Sequence, residues 1–186
     1  MMRLTGFVLV ALLAGCGAGN DARYLIDPPA AGARVSVRVG SIEVRDVSLP
    51  SYAAAVDIAR QEPDGALRNV AGTLWADDPV RGITGALARS LDQATTASVA
   101  AEPWPLAEPA QAELSVRVER MLAGADGQFR FAGQYALSSP DGALRDRLRR
   151  FDIATPLTGE GSAGIAGATG AAIALLSAQI AEDLRR

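Results

Sequence analysis

One residue in this chain has a covalent chemistry written into its surroundings. Cys16 is the sole cysteine, so no disulfide can form within the chain, and an exported thiol with no partner calls for another use. Met1-Met2-Arg3 supplies a positive start, Leu4–Leu13 is apolar, and Leu13-Ala14-Gly15-Cys16 places two small residues directly before the thiol. That layout predicts a lipoprotein signal: cleavage before Cys16, then acylation of its sulfur and its new amino group. The alternatives are an ordinary secretory peptide or a short anchor. The apolar run falls well short of the roughly 20 residues a bilayer span needs. Gly17, not an acid, follows the cysteine, and the expected destination is the outer membrane.

Most other chemistries are excluded by residue type. The chain has no His, and all 18 basic residues are Arg. Ser-His-Asp and Cys-His catalysis, the usual zinc sites, Schiff bases and a Walker A loop are therefore ruled out. Carboxylate pairs could still hydrolyse glycosides, but no pair among the 21 acids stands out. No enzymatic activity, cofactor or metal is expected. The net charge of −3 becomes one unit more negative once Arg3 leaves with the signal, which gives nucleic acid no basic face to meet.

The elements follow from pattern. Residues 1–15 read as signal, residues 16–23 as a short tether, and residues 24–186 as one domain. Tyr24-Leu25-Ile26 reads as a first strand stopped by Asp27-Pro28-Pro29. Arg34–Val47 alternates Val35, Val37 and Val39 with polar residues and reads as strand, interrupted at Gly40. Leu49-Pro50-Ser51-Tyr52 is a turn or connector. Ala55–Arg60 and Ala66–Val70 form a hairpin about Pro63-Asp64-Gly65. Asp78 caps a helix with Pro79 at its first position, and Val80, Ile83, Leu87 and Leu91 give it an apolar stripe to about Ala97. A Pro-rich loop holds Trp104. Glu113–Met121 and Gln128–Leu137 form the clearest hairpin, turning at Gly124-Ala125-Asp126-Gly127. Ala143–Ile153 is ambiguous and is read as strand, and a helix over about Ser162–Leu184 closes the chain.

Several motifs admit a functional and a plainer reading. Gly159-Glu160-Gly161-Ser162-Ala163-Gly164 matches G-x-G-x-x-G, but no second strand with a ribose-binding acid follows, which favours a Gly-rich helix entry. Ala163–Ala181 carries no charge and approaches a spanning length, yet its Ala and Gly content suits packing on a sheet. Arg145, Arg147, Arg149 and Arg150 form the one basic cluster, able to meet lipid headgroups or an acidic partner, or to guard a sheet edge. Trp75, just ahead of the helix N-cap, reads as core or staple packing. Trp104 reads either as an interface anchor or as a cap on the core.

In their order, these segments resemble the ABC-type transport auxiliary lipoproteins, the PqiC-like family. The resemblance rests on the cysteine after its signal, Tyr24-Leu25-Ile26, Leu49-Pro50-x-Tyr52, the strand at Val56–Arg60, Trp75-Ala76-Asp77-Asp78-Pro79 and the Ala-Gly-rich last helix. Ser51 and Ala53 to Ala55 depart from the family's usual Leu-Asp-Arg run. The resemblance implies a three-layer α/β domain around a mixed sheet, similar to the amino-terminal domain of TolB. It further implies a non-catalytic, membrane-tethered subunit beside an MCE-domain protein and its permease, docking the transporter near the outer membrane, supporting envelope integrity and able to form a homo-oligomer. A free-standing lipid- or small-molecule-binding lipoprotein is the competing reading, and a hydrolase a more remote one.

Overall fold

A computed structural model describes residues 20–185. The signal segment and Cys16 lie outside the described residues. Eight strands form one mixed sheet. In chain order the elements are β1 (Ala22–Tyr24), β2 (Ser41–Val44), the one-turn α1 (Ser51–Ala54), β3 (Asp57–Gln61), β4 (Leu67–Trp75), α2 (Pro79–Ala94), β5 (Ser98–Ala101), β6 (Ala112–Ala123), β7 (Gln128–Ser138), β8 (Arg147–Pro156) and α3 (Gly161–Arg185).

β6 is the axis. β7 runs antiparallel along one side of it, with β8 beyond as the free edge. Its other side is shared. β2 pairs with the first residues, Ile42 opposite Ala112 and Val44 opposite Leu114, and β5 lies outside β2. β3 touches the far end through one pair, Arg60 opposite Ala123, and continues to β4 and β1. Between these partners Ser48 bridges Arg117, and then α1 intervenes. There the Met121 amide donates to the Tyr52 hydroxyl at 3.1 Å, so Leu49-Pro50-x-Tyr52 closes the break where the strand partner is missing. β6 bulges between Val118 and Arg120, opposite Gly133. A Cβ on Gly133 would overlap the Arg117 carbonyl, which explains the glycine.

The expected α/β class with a mixed sheet is what the structure shows. The alternation of β6, β7 and β8 sends Leu114, Val116, Val118, Phe129, Phe131, Tyr135, Leu137, Phe151 and Ile153 to one face. That face packs on Ile83, Leu87 and Leu91 of α2 and on Ile165, Ile173, Leu176, Ile180 and Leu184 of α3 in a single core. Ser115, Arg117 and Arg120 on the other face are exposed. Both long helices thus pack on this face of the sheet. α3 is long and apolar enough to cross a membrane, but its apolar stripe is spent on the sheet.

Local expectations fared according to how local their causes are. Asp78 caps α2, its side chain accepting from the Arg81 amide at 3.1 Å, and the helix ends at Ala94 rather than Ala97. Both hairpins formed, the first extending to Trp75. β8 confirms the strand reading of the ambiguous segment, shifted toward Pro156. Arg34–Val47 needs correction. Val35, Val37 and Val39 do alternate in burial, but the Val35 amide donates to the Ala94 carbonyl and the Thr96 amide to the Val35 carbonyl. Only Ser41–Val44 joins the sheet over several residues; the preceding stretch is extended chain strapped to the end of α2. β1 lies two residues earlier than expected, and β5 and α1 were not foreseen. Gly159 and Gly161 have φ of 100° and 56°, and a Cβ on Gly164 would sit 2.7 Å from the Gly159 carbonyl. The glycine motif is therefore a tight entry to α3.

Candidate docking surfaces

The basic segment predicted as a contact is the start of the edge strand β8, and its alternation splits it in two. Arg147 and Arg149 turn toward the end of α3. Arg147 donates to the Asp183 carbonyl at 2.7 Å and lies 3.8 Å from its carboxylate. Arg149 donates through Nε to that carboxylate at 3.3 Å, and the buried Tyr135 hydroxyl donates to it at 2.7 Å. Burial, reinforced by the Asp183 charge, pushes the Tyr135 phenol well above its usual pKa. Asp183 sits in the last turn of α3, where the helix dipole opposes a negative charge. The two arginines and the phenol offset that cost. Arg147 and Arg149 are accordingly engaged within the fold, Arg147 nearly covered and Arg149 half exposed. Arg150 points to the open face and meets Glu119 at 3.4 Å with its side chain 75% exposed. Arg145 is exposed and has no side-chain partner among the described residues. Arg145 is thus the unpaired member of the cluster among the described residues, and Arg150 the most exposed of the paired ones.

Trp104 lies in the loop between β5 and β6, after the cis Glu102-Pro103 bond. Its backbone amide donates to Glu43 at 3.1 Å, and its indole N–H donates to the Glu108 carbonyl at 2.8 Å. The ring is half-buried and holds the loop closed, while Leu106 is presented to solvent at 61% exposure. Glu43, Glu102 and Glu108 make this surface acidic, relieved by Arg45, 3.0 Å from Glu102.

Trp104 and the basic edge are not brought together. Four strand spacings separate β8 from β5, about 19 Å. They do share one end of the sheet, the end where β6 begins, because Arg147 pairs with Leu137 and Leu137 with Leu114.

A third surface escaped sequence reading. Because β3 and β6 touch through one pair, the β3–β4 and β6–β7 hairpins diverge beyond it. The gap is a cleft of about 760 Å³. It is lined by Glu62, Pro63 and Leu67 of the β3–β4 hairpin, by Arg120, Leu122, Asp126 and Arg130 of the β6–β7 hairpin, and by Tyr52. Asp126 binds Arg130 at 2.6 Å; that bond, helped by the Gln128 amide, holds the Asp126 carboxyl below its ordinary pKa. Arg120 falls in a bulge that alternation cannot place, so nothing in the sequence marked it.

The sequence profile of the ABC-type transport auxiliary lipoprotein components matches residues 24–181. The chain belongs to that family. Among proteins of curated function none matches it in sequence. A solved structure described as an uncharacterized protein is 19% identical, with a TM-score of 0.69 over 88% of this chain and 99% of its own. Protein XCC0632 from Xanthomonas campestris, assigned to DUF330, is 16% identical, with a TM-score of 0.58 over 86% and 89%. At this identity the likeness establishes the fold alone.

As a transport auxiliary lipoprotein component, the protein is a member of a family that serves ABC-type transporters and is tied by lipid to the cell envelope. The motifs that carry the family resemblance are framework. Trp75 is buried at the end of β4, and its amide donates to the Val56 carbonyl. Asp77 pairs with Arg81 at 3.0 Å, Asp78 caps α2, and Tyr52 closes the break beside β6.

Proposed function

We propose that the protein is a non-catalytic subunit of an intermembrane lipid transporter. Residues 1–15 are removed, Cys16 is acylated, and residues 24–186 dock an MCE-domain protein and its permease near the outer membrane, supporting envelope integrity. Supporting this reading beside the family match is where the candidate contacts lie. The Trp104 loop and Arg145 lie toward the end of the sheet opposite the turns Glu62–Ala66 and Gly124–Gly127, Arg150 lies midway along the sheet beside Glu119, and the chain enters at Asn20 from the side of those turns. A domain tethered at Cys16 thus offers its contacts away from its own membrane, where a partner spanning the remaining distance would arrive. Several copies could present these surfaces together as a homo-oligomer.

The test is membrane fractionation with affinity recovery. The native protein should fractionate with outer membrane only while Cys16 is present, and should recover an MCE-domain protein. Arg145→Glu with Arg150→Glu should reduce that recovery at unchanged melting temperature. Trp104→Ala should either lower stability, which assigns the ring to loop packing, or lower recovery alone, which assigns it to the interface; a loss of about 2 kcal/mol there is roughly thirtyfold in affinity. Recovery of no MCE-domain protein would sink the docking reading, and a lipid copurifying in stoichiometric amount without any partner would favour a free-standing lipid-binding lipoprotein.

A further inference from the structure

The sheet sets the end from which the chain enters the domain. β1 runs parallel to β4, away from the β3–β4 turn, so Asn20 and Asp21 lie on the side of that turn. β6 and β3 also end there, and β8 arrives there, with the Leu157 amide donating to the Gly127 carbonyl. Between Cys16 and Asn20 an extended chain reaches only about 14 Å. If Cys16 carries lipid, as proposed above, this end stands over the bilayer, and the cleft between the two hairpins opens at its headgroups.

The lining of the cleft matches that position. Glu62 is paired with Arg60 at 3.3 Å, Asp126 with Arg130 at 2.6 Å and Glu119 with Arg150 at 3.4 Å. Among the described residues no carboxylate or hydrogen-bond partner meets the Arg120 side chain, which leaves its guanidinium as the free charge of the cleft. A planar guanidinium binds a phosphate through paired N–H donors. Beside it Tyr52, Pro63, Leu67 and Leu122 give an apolar surface, and Leu67 is 42% exposed. We propose that this cleft is a phospholipid headgroup site, with Arg120 holding the phosphate and the apolar wall covering the glycerol and the first acyl carbons.

The test uses the mature chain carrying Cys16→Ser, titrated calorimetrically with dihexanoyl phosphatidylglycerol below its micelle concentration. Glycerol phosphate, inorganic phosphate and dihexanoylglycerol are run beside it. Binding of the phospholipid should weaken at least tenfold in Arg120→Ala, recover in part in Arg120→Lys, and be unchanged in Arg89→Ala, an exposed arginine on α2 outside the cleft. Equal affinity for inorganic phosphate would reduce the site to an anion site and overturn the lipid assignment. Equal affinity for dihexanoylglycerol would remove the role of the phosphate. No binding, or binding indifferent to Arg120→Ala in a protein whose melting temperature is unchanged, overturns the proposal outright. None of these titrations depends on anchoring or on a transporter partner, so failure here and failure of the docking reading are told apart.

Discussion

Removing the Asp183 carboxylate tests how the basic edge is divided between fold and surface. Asp183 is 9% exposed and Tyr135 3%, so Asp183→Ala strands a buried phenol without an acceptor, at a cost of about 1–3 kcal/mol. Losing the contacts with Arg147 and Arg149 adds no more than about 1 kcal/mol each, discounted because the Arg149 side chain is 52% exposed and water screens it. Removing a negative charge from the last turn of α3 returns about 0.3–1 kcal/mol. The expected net loss is about 2–3 kcal/mol. For a domain of this size that is a fall in Tm of roughly 4–12 °C. Tyr135→Phe leaves both arginines on Asp183 and should cost about 1.5 kcal/mol, the low end for a hydrogen bond to a charged group. Urea unfolding of the two single variants and the double variant gives the coupling, expected at about 1–2 kcal/mol. Additivity within about 0.5 kcal/mol would mean that the 2.7 Å contact contributes nothing and that the account of the edge is wrong. The Asp183→Ala domain should also release Arg149, adding a free positive charge beside Arg145 and Arg150. If these arginines meet an acidic partner, the destabilised variant should bind it faster at low salt.

Leu87, 1% exposed on α2, should cost about 2–5 kcal/mol on replacement by Ala, while Arg89→Ala on the exposed face stays within roughly 0.5 kcal/mol; equal losses in urea unfolding would show that the helix register is misread. In alkali the folded Tyr135 phenol keeps its proton while the unfolded chain releases it near pH 10, so the unfolded state binds fewer protons and stability falls above that pH by up to about 1.4 kcal/mol per unit. Tyr135→Phe should flatten that decline, and an unchanged slope would assign it to other groups. Tyr52→Phe removes the acceptor of the Met121 amide and should cost about 1–3 kcal/mol, whereas a neutral result would mean that water replaces the hydroxyl in the break beside β6.

What could be read from the chain was whatever is decided within a few neighbouring residues. The turns at Pro63-Asp64-Gly65 and Gly124–Gly127, the Asp78-Pro79 helix start and the alternation of β7 each carry their cause locally, and each formed. β5 does not: Ser98-Val99-Ala100-Ala101 has no alternation, and it is a strand because β2 lies beside it. The stretch from Arg34 to Val39 has the alternation without a ladder, because the end of α2 takes its backbone bonds first. At the candidate site the arginines were legible as a cluster, but their division was not. Asp183, which engages Arg147 and Arg149, lies across the length of α3 in sequence, and Arg120 reaches the cleft through a bulge that shifts strand parity.

The family's motifs mark residues that the fold needs, not residues that a partner would select. Trp75, Asp77, Asp78 and Tyr52 are recognisable because each solves a problem of the fold: ending β4, starting α2 and filling the gap between β2 and β3. Arg145, Arg150 and Leu106 solve no such problem. Arg145 lacks a side-chain partner among the described residues, Leu106 is largely exposed, and the contact of Arg150 with Glu119 is an exposed surface pair of little energetic weight. Substitution at these positions leaves the core unaffected, so sequence there is free to follow a partner rather than the fold. Two relatives can therefore share this architecture while differing at these positions. Residues that would discriminate between partners lie among Arg145, Arg150 and Leu106, not among the motifs by which the family is known.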